Sequence, residues 1–173
     1  MSRALIVVDV QRGFEDPAWG RRNNPAAEDN VARLIEAWRR RGEPIVFVRH
    51  DSRTPGSPLA PGTPGNAFHE VVSGEPDLLV TKTVHSSFHG TPDLDAWLRL
   101  HHVGGVVVCG IQTNMCCETT ARVADDLGYD MTLALDATYT FDLPGISADE
   151  LARATAATLA ADFGTVAKTD ELV

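Results

Sequence analysis

Cys116 lies in the stretch Gly110-Ile111-Gln112-Thr113-Asn114-Met115-Cys116-Cys117-Glu118, between the apolar run Val103-Gly104-Gly105-Val106-Val107-Val108-Cys109 and a helix-like segment. A strand, a tight turn and a helix start would set this thiol where backbone N–H groups point outward, which favours thiolate over thiol. A thiolate is the nucleophile of acyl transfer. Two further residues could serve it. Asp9 follows the apolar run Ala4-Leu5-Ile6-Val7-Val8, and Lys82 closes Leu78-Leu79-Val80-Thr81. A buried aspartate needs a partner, and a lysine at the end of another buried strand can supply it. Each then favours the charged form of the other. Such a carboxylate can accept the thiol proton and later return it to a leaving group. The backbone N–H groups of Gln112 and Cys116 are candidates for an oxyanion hole. Cys117, about 100° further round the helix, is expected to point inward. Cys109, inside a strand pattern, reads as a buried apolar residue.

The elements that must position these groups follow from hydrophobic periodicity. Residues 4–10 read as a strand buried on both faces. Val31, Leu34, Ile35 and Trp38 recur at helical spacing, predicting a helix over about 26–41 that Gly42 ends. Strands follow at 44–49 and 78–82, a helix at about 92–102, a strand at 103–109, a helix at 114–127 and a strand at 131–135. Ser147 and Glu150 form a capping box for a helix running to about 162, and a short strand near 165–167 closes the pattern. Alternating strands and helices imply one parallel sheet covered on both faces. Ligands bind such sheets at the carboxyl ends of the strands, where the strand order reverses. Asp9, Lys82 and Cys116 would all face that edge. Residues 51–77, with five prolines and four glycines, have no clear period and read as a functional loop.

The 173 residues fit a single domain spanning 1–173, and 43% hydrophobic with 23% charged residues suits a globular chain. A net charge of −9 argues against nucleic-acid or anionic-membrane partners. No apolar run is long enough to span a bilayer, and a strand begins almost at once with no signal peptide before it, so the expected location is cytoplasmic. The three cysteines lack a C-x-x-C pair with matching histidines, so neither structural zinc nor thioredoxin-type chemistry is expected.

The segments Val7-Val8-Asp9-Val10-Gln11-Arg12-Gly13-Phe14, Lys82 with Ser87-Phe88, and Gly110 to Cys116 resemble the isochorismatase-like cysteine hydrolase superfamily, as do Asn24-Pro25, Arg49-His50-Asp51-Ser52 and Gly62-Thr63-Pro64-Gly65. The resemblance covers essentially the whole chain. It implies a three-layer α/β/α fold with a six-stranded parallel sheet in the order 3-2-1-4-5-6. It implies a triad of Asp9, Lys82 and Cys116, and a non-proline cis peptide at Ile111-Gln112. The implied activity is hydrolysis of a small C–N amide through a thioacyl-enzyme, with water as co-substrate, no cofactor, and a dimer or tetramer. True isochorismatases lack the cysteine and cleave a vinyl ether, so Cys116 argues against that reaction. Metal-binding nicotinamidases carry an Asp-x-His motif after strand two. Here the segment is His50-Asp51-Ser52 with His69 well downstream, so no metal is expected and nicotinamide is less favoured. His50 and Asp51 are expected to support the loop or line the pocket.

Gln11, Phe14, Trp19, Phe88 and Tyr139 are the expected substrate-binding residues, the aromatics packing on an apolar substrate group. His85, His89 and the pair Arg21-Arg22 read as solvated surface groups. Two other functions compete with the hydrolase: a non-catalytic binding or regulatory domain of the same fold, against which the intact triad speaks, and a redox protein using Cys116-Cys117.

Overall fold

A computed structural model describes residues 2–173. Its strands are β1 (Ser2–Val8), β2 (Ile45–His50), β3 (Leu78–Lys82), β4 (Val103–Ile111), β5 (Asp130–Tyr139) and β6 (Thr165–Ala167), and its helices are α1 (Ala27–Arg41), α2 (Leu94–Leu100), α3 (Glu118–Asp126) and α4 (Ala148–Asp162). All strands pair in parallel, in the order β3-β2-β1-β4-β5-β6. This is the three-layer arrangement expected of the alternating elements.

The central strand explains the layering. Ala4 to Val8 of β1 are all fully buried. Leu5 and Val7 point into one core with α1, while Ala4, Ile6 and Val8 point into the other, with residues of α2, α3 and α4. Each such aliphatic side chain contributes about 1.5–3 kcal/mol by leaving water. α1 buries Val31, Leu34, Ile35 and Trp38 and ends at Gly42, whose φ of 64° suits the left-handed cap. α4 begins with the Ser147–Glu150 capping box.

Two predicted elements differ. The fifth strand runs on to Tyr139, because its second half pairs Thr138 and Tyr139 with Gly110 and Ile111 beyond an irregularity in the ladder. The helix after β4 does not start as an α-helix. Thr113–Cys117 form a π-helical turn, and α3 begins only at Glu118. The Ile111–Gln112 peptide is cis, as the resemblance implied.

The stretch 51–77 has defined tertiary contacts despite its lack of period. Ser52 N–H donates to Leu59 C=O at 3.1 Å, and the Asn66 amide donates to Leu59 C=O and to Asp51. Gly65 packs so closely on Gly13 that a Cβ there would lie 2.3 Å from the Pro58 carbonyl oxygen and 2.8 Å from Gly13 Cα. This close backbone approach lays the loop over the carboxyl ends of β1 and β2. No helix among the described residues is long and apolar enough to cross a membrane.

Candidate active site

β1 and β4 are neighbours at the point where the strand order reverses, with Val8 paired to Gly110. Asp9 follows immediately, held at φ 52° with its N–H donating to Val48 C=O at 2.9 Å. β3 brings Lys82 to the same rim, and the π-turn brings Cys116. Lys82 Nζ donates to Asp9 Oδ2 at 2.5 Å, and both side chains are fully removed from solvent. Ligand atoms of Asp9, His50 and Cys116 lie within 4.8 Å of one another. Asp9 Oδ1 is a buried side-chain oxygen with no hydrogen-bond partner among the described residues. A buried acceptor left unpaired is costly, so this oxygen calls for a functional or structural explanation.

Electrostatics revise one expectation. Burial, and then the Asp9 charge, push the Cys116 thiol well above its ordinary range, while Lys82 pulls the other way. Burial, with Cys116 only 8% exposed, and the facing carboxylate thus shift this residue toward the thiol form. For Lys82, burial lowers the pKa, but Asp9 and Cys116 more than offset it and the ammonium stands above its ordinary value. Cys117 and Cys109 are fully buried, and burial raises both thiols. Cys117 points inward, as its position one residue round the turn implied.

A cavity of about 510 Å³ opens over Asp9 and Cys116, lined also by Gln112, Met115, Phe14, Trp19, His50, His85, Ser52 and residues 54–59. Phe14 and Trp19 sit where expected, their rings 5.1 Å apart, with Trp19 Nε1 donating to Gly13 C=O at 2.8 Å. Three expected pocket residues lie elsewhere. Gln11 is buried, and its carboxamide brackets the backbone of His50: Oε1 accepts from His50 N–H at 2.8 Å and Nε2 donates to His50 C=O at 3.0 Å. Phe88, partly buried, stacks on Tyr129 against the core shared with α2 and α3. Tyr139 is buried beneath the Arg22 guanidinium, which lies 3.3 Å from its ring centroid. An aromatic near a motif is as readily core as pocket, and here the packing decided for core. His85, expected at the surface, is exposed and lines the cavity mouth; Met115 and Leu59 were missed as wall residues. The signal for Met115 was its place beside Cys116 in the turn, whereas Leu59 had none in its irregular loop.

Arg22 is tied to Glu28 by two hydrogen bonds, so it is not a free surface charge, while Arg21 is exposed and bridges Asp142 and Asp149. Asp9, His50 and Cys116 offer the donor set of a soft-metal site. The Lys82 ammonium already bonds to Asp9 Oδ2 and contacts His50 Nδ1, placing a fixed cation beside that set.

The Isochorismatase domain model matches residues 3–171 of the chain. The isochorismatase family protein YrdC of Bacillus subtilis is 38% identical over 99% of this chain and 94% of its own length. Nicotinamidase 3 of Arabidopsis thaliana is 33% identical over 98% of this chain and 86% of its own. Among solved structures, a cysteine hydrolase from Pseudomonas syringae superposes with a TM-score of 0.88 at 31% identity, covering 98% of this chain and 90% of that one.

Proposed function

The chain belongs to the isochorismatase-like cysteine hydrolase family, and on that footing we propose that it cleaves the C–N bond of a small amide through a thioacyl-enzyme at Cys116. One observation carries this reading. Asp9 has one oxygen engaged by Lys82 and the other buried without a partner, and its carboxylate lies within 4.8 Å of the Cys116 sulfur. Asp9 takes the thiol proton onto that free oxygen as sulfur attacks the carbonyl carbon. Lys82, bonded to Asp9, offsets the negative charge forming on sulfur. The backbone N–H groups of Gln112 and Cys116 receive the oxyanion of the tetrahedral intermediate. Its collapse breaks the C–N bond, and Asp9 returns the proton to the departing nitrogen. Water then attacks the thioester, losing a proton to Asp9, and Cys116 regains one as the acid leaves.

The wall residues support an uncharged acyl group. Among the described residues the lining contains no arginine or lysine, and its one carboxylate is the paired Asp9. Phe14, Trp19, Leu59 and Met115 offer apolar contact. A carboxylate-bearing substrate would enter with nothing to neutralise it.

An amide-library screen with Cys116→Ala and Cys116→Ser as controls tests the reading. Both variants are expected to fold and to lose turnover to background. Iodoacetamide should label Cys116 before the other two thiols, and a turned-over amide should protect it. Full activity in Cys116→Ala would end the proposal.

A further inference from the structure

The Lys82 ammonium has three protons to place and no lone pair. Asp9 Oδ2 receives one, and the Cys116 sulfur lies within 4.8 Å of that carboxylate. The remaining neighbour is His50 Nδ1, at 3.2 Å. Because the ammonium can only donate, Nδ1 in this contact carries no proton, and the ring's hydrogen sits on Nε2. We propose that His50 is a positioning residue for Lys82, its unprotonated Nδ1 taking a further ammonium proton and holding the cation against Asp9. Its consequence for turnover rests on the hydrolase reading above; the contact itself does not.

The fold fixes this contact from several sides. His50 and Lys82 are register partners on adjacent parallel strands, so their side chains leave the same face of the sheet. The His50 backbone is held by two side-chain amides. Gln11 pairs with both its N–H and its C=O, and Asn66 Nδ2 adds a third bond to the same C=O at 3.2 Å. Both amides are buried. They come from either side of the site, one just past β1 and one from the long loop. Together they lock the last residue of β2 where the strand would otherwise fray into the loop. Five titratable groups face the ring: Lys82 from β3, Asp9 from the end of β1, His85 from the segment after β3, Asp51 beside it, and Cys116 from the π-turn. Burial, and then the Lys82 charge, hold His50 below the ordinary histidine range. It is therefore neutral at neutral pH, as an acceptor must be. Protonation would turn acceptor into donor and set a second cation against the first.

Imidazole NMR on the nitrogen-15-labelled full chain tests the proposal without any substrate. His50 is expected in the Nε2–H form at neutral pH and should titrate below 6.5, the ordinary value. In Lys82→Met the cation is gone while Asp9 stays, so the His50 pKa should rise. If that variant does not fold, Asp9→Asn with Lys82→Met removes both charges at similar volume. The rise should persist there, smaller, since Lys82 acts on His50 more strongly than Asp9 does. An Nδ1–H tautomer in the wild type, or a His50 titration indifferent to Lys82, would overturn the proposal. Turnover supplies the second arm. His50→Leu should lower kcat roughly 10- to 100-fold with KM little changed, the scale of a misplaced catalytic group. His50→Asn sets an amide oxygen near the Nδ1 position and should recover most of that loss. Equal losses in both would reduce His50 to packing. If no amide is turned over by any form, the hydrolase reading falls while the NMR result still decides the contact.

Discussion

Two ion-pair systems of nearly equal geometry differ in everything else. Asp9 and Lys82 meet at 2.5 Å with side chains fully buried, whereas Arg21 reaches Asp142 at 2.9 Å and Asp149 at 2.7 Å with all three side chains well exposed. Distance alone would rank them together. Solvent separates them: water screens the outer cluster, and holding long side chains in one geometry costs entropy comparable to the Coulomb gain. The buried pair has no water to replace either partner, so each ion depends on the other. The same desolvation that makes the pair fragile lets it control a neighbouring proton. A carboxylate whose charge is felt undiluted can hold a thiol protonated and then take its proton.

The largest effect should come from breaking the buried pair. Lys82→Met leaves the Asp9 carboxylate uncompensated and is expected to destabilise the fold by about 3–5 kcal/mol, read by urea denaturation, with turnover lost. The pH dependence follows from the raised Lys82 pKa. Its contribution is complete below the ordinary lysine value of 10.5 and is lost only as pH rises through the higher folded value. The gap between wild type and variant should therefore stay constant across neutral pH and narrow only under strong alkali. A gap that closed near neutrality would contradict the assignment of the ammonium.

Asp9→Asn sharpens the comparison by removing charge while keeping shape. The carboxylate is one of the causes that raise the Cys116 thiol, and Lys82 opposes it. The variant should thus lose turnover yet alkylate faster at Cys116 near pH 8. In the wild type the labelling rate should still be climbing above pH 9, beyond the range where an exposed thiol levels off. Slower labelling in Asp9→Asn would mean that the carboxylate acts on sulfur in some other way. The smallest effect belongs to the outer cluster: Arg21→Ala should leave both the denaturation midpoint and turnover within experimental error. A clear loss there would show that solvent exposure is a poor guide to this protein's charges.

Much of this was legible in the chain itself, for identifiable reasons. The apolar run at β1, the helical stripe of α1 and the Ser147–Glu150 cap are local patterns, and local patterns survive folding. Asp9, Lys82 and Cys116 were legible because each ends or follows a strand, and parallel strands deliver their carboxyl ends to one rim. The aromatic residues were not. Phe14 and Phe88 look alike in sequence, yet one walls the cavity and the other stacks on Tyr129 against the core. The loop that lays Leu59 over the site has no period to read, since its order comes from the close approach of Gly65 to Gly13 and from the Asn66 side chain bonding Leu59 and Asp51.

The order of apolar and polar residues along the chain determined the layered sheet and the edge at which chemistry could occur, because hydrophobic burial acts on patterns a few residues long. Only the tertiary structure decided the direction in which the thiol is shifted, the bracket that Gln11 makes around His50, and which aromatic rings meet the cavity. Each of these depends on how far water is excluded and on which distant side chain fills the space left. Those quantities are properties of the packed interior and exist nowhere in the linear chain.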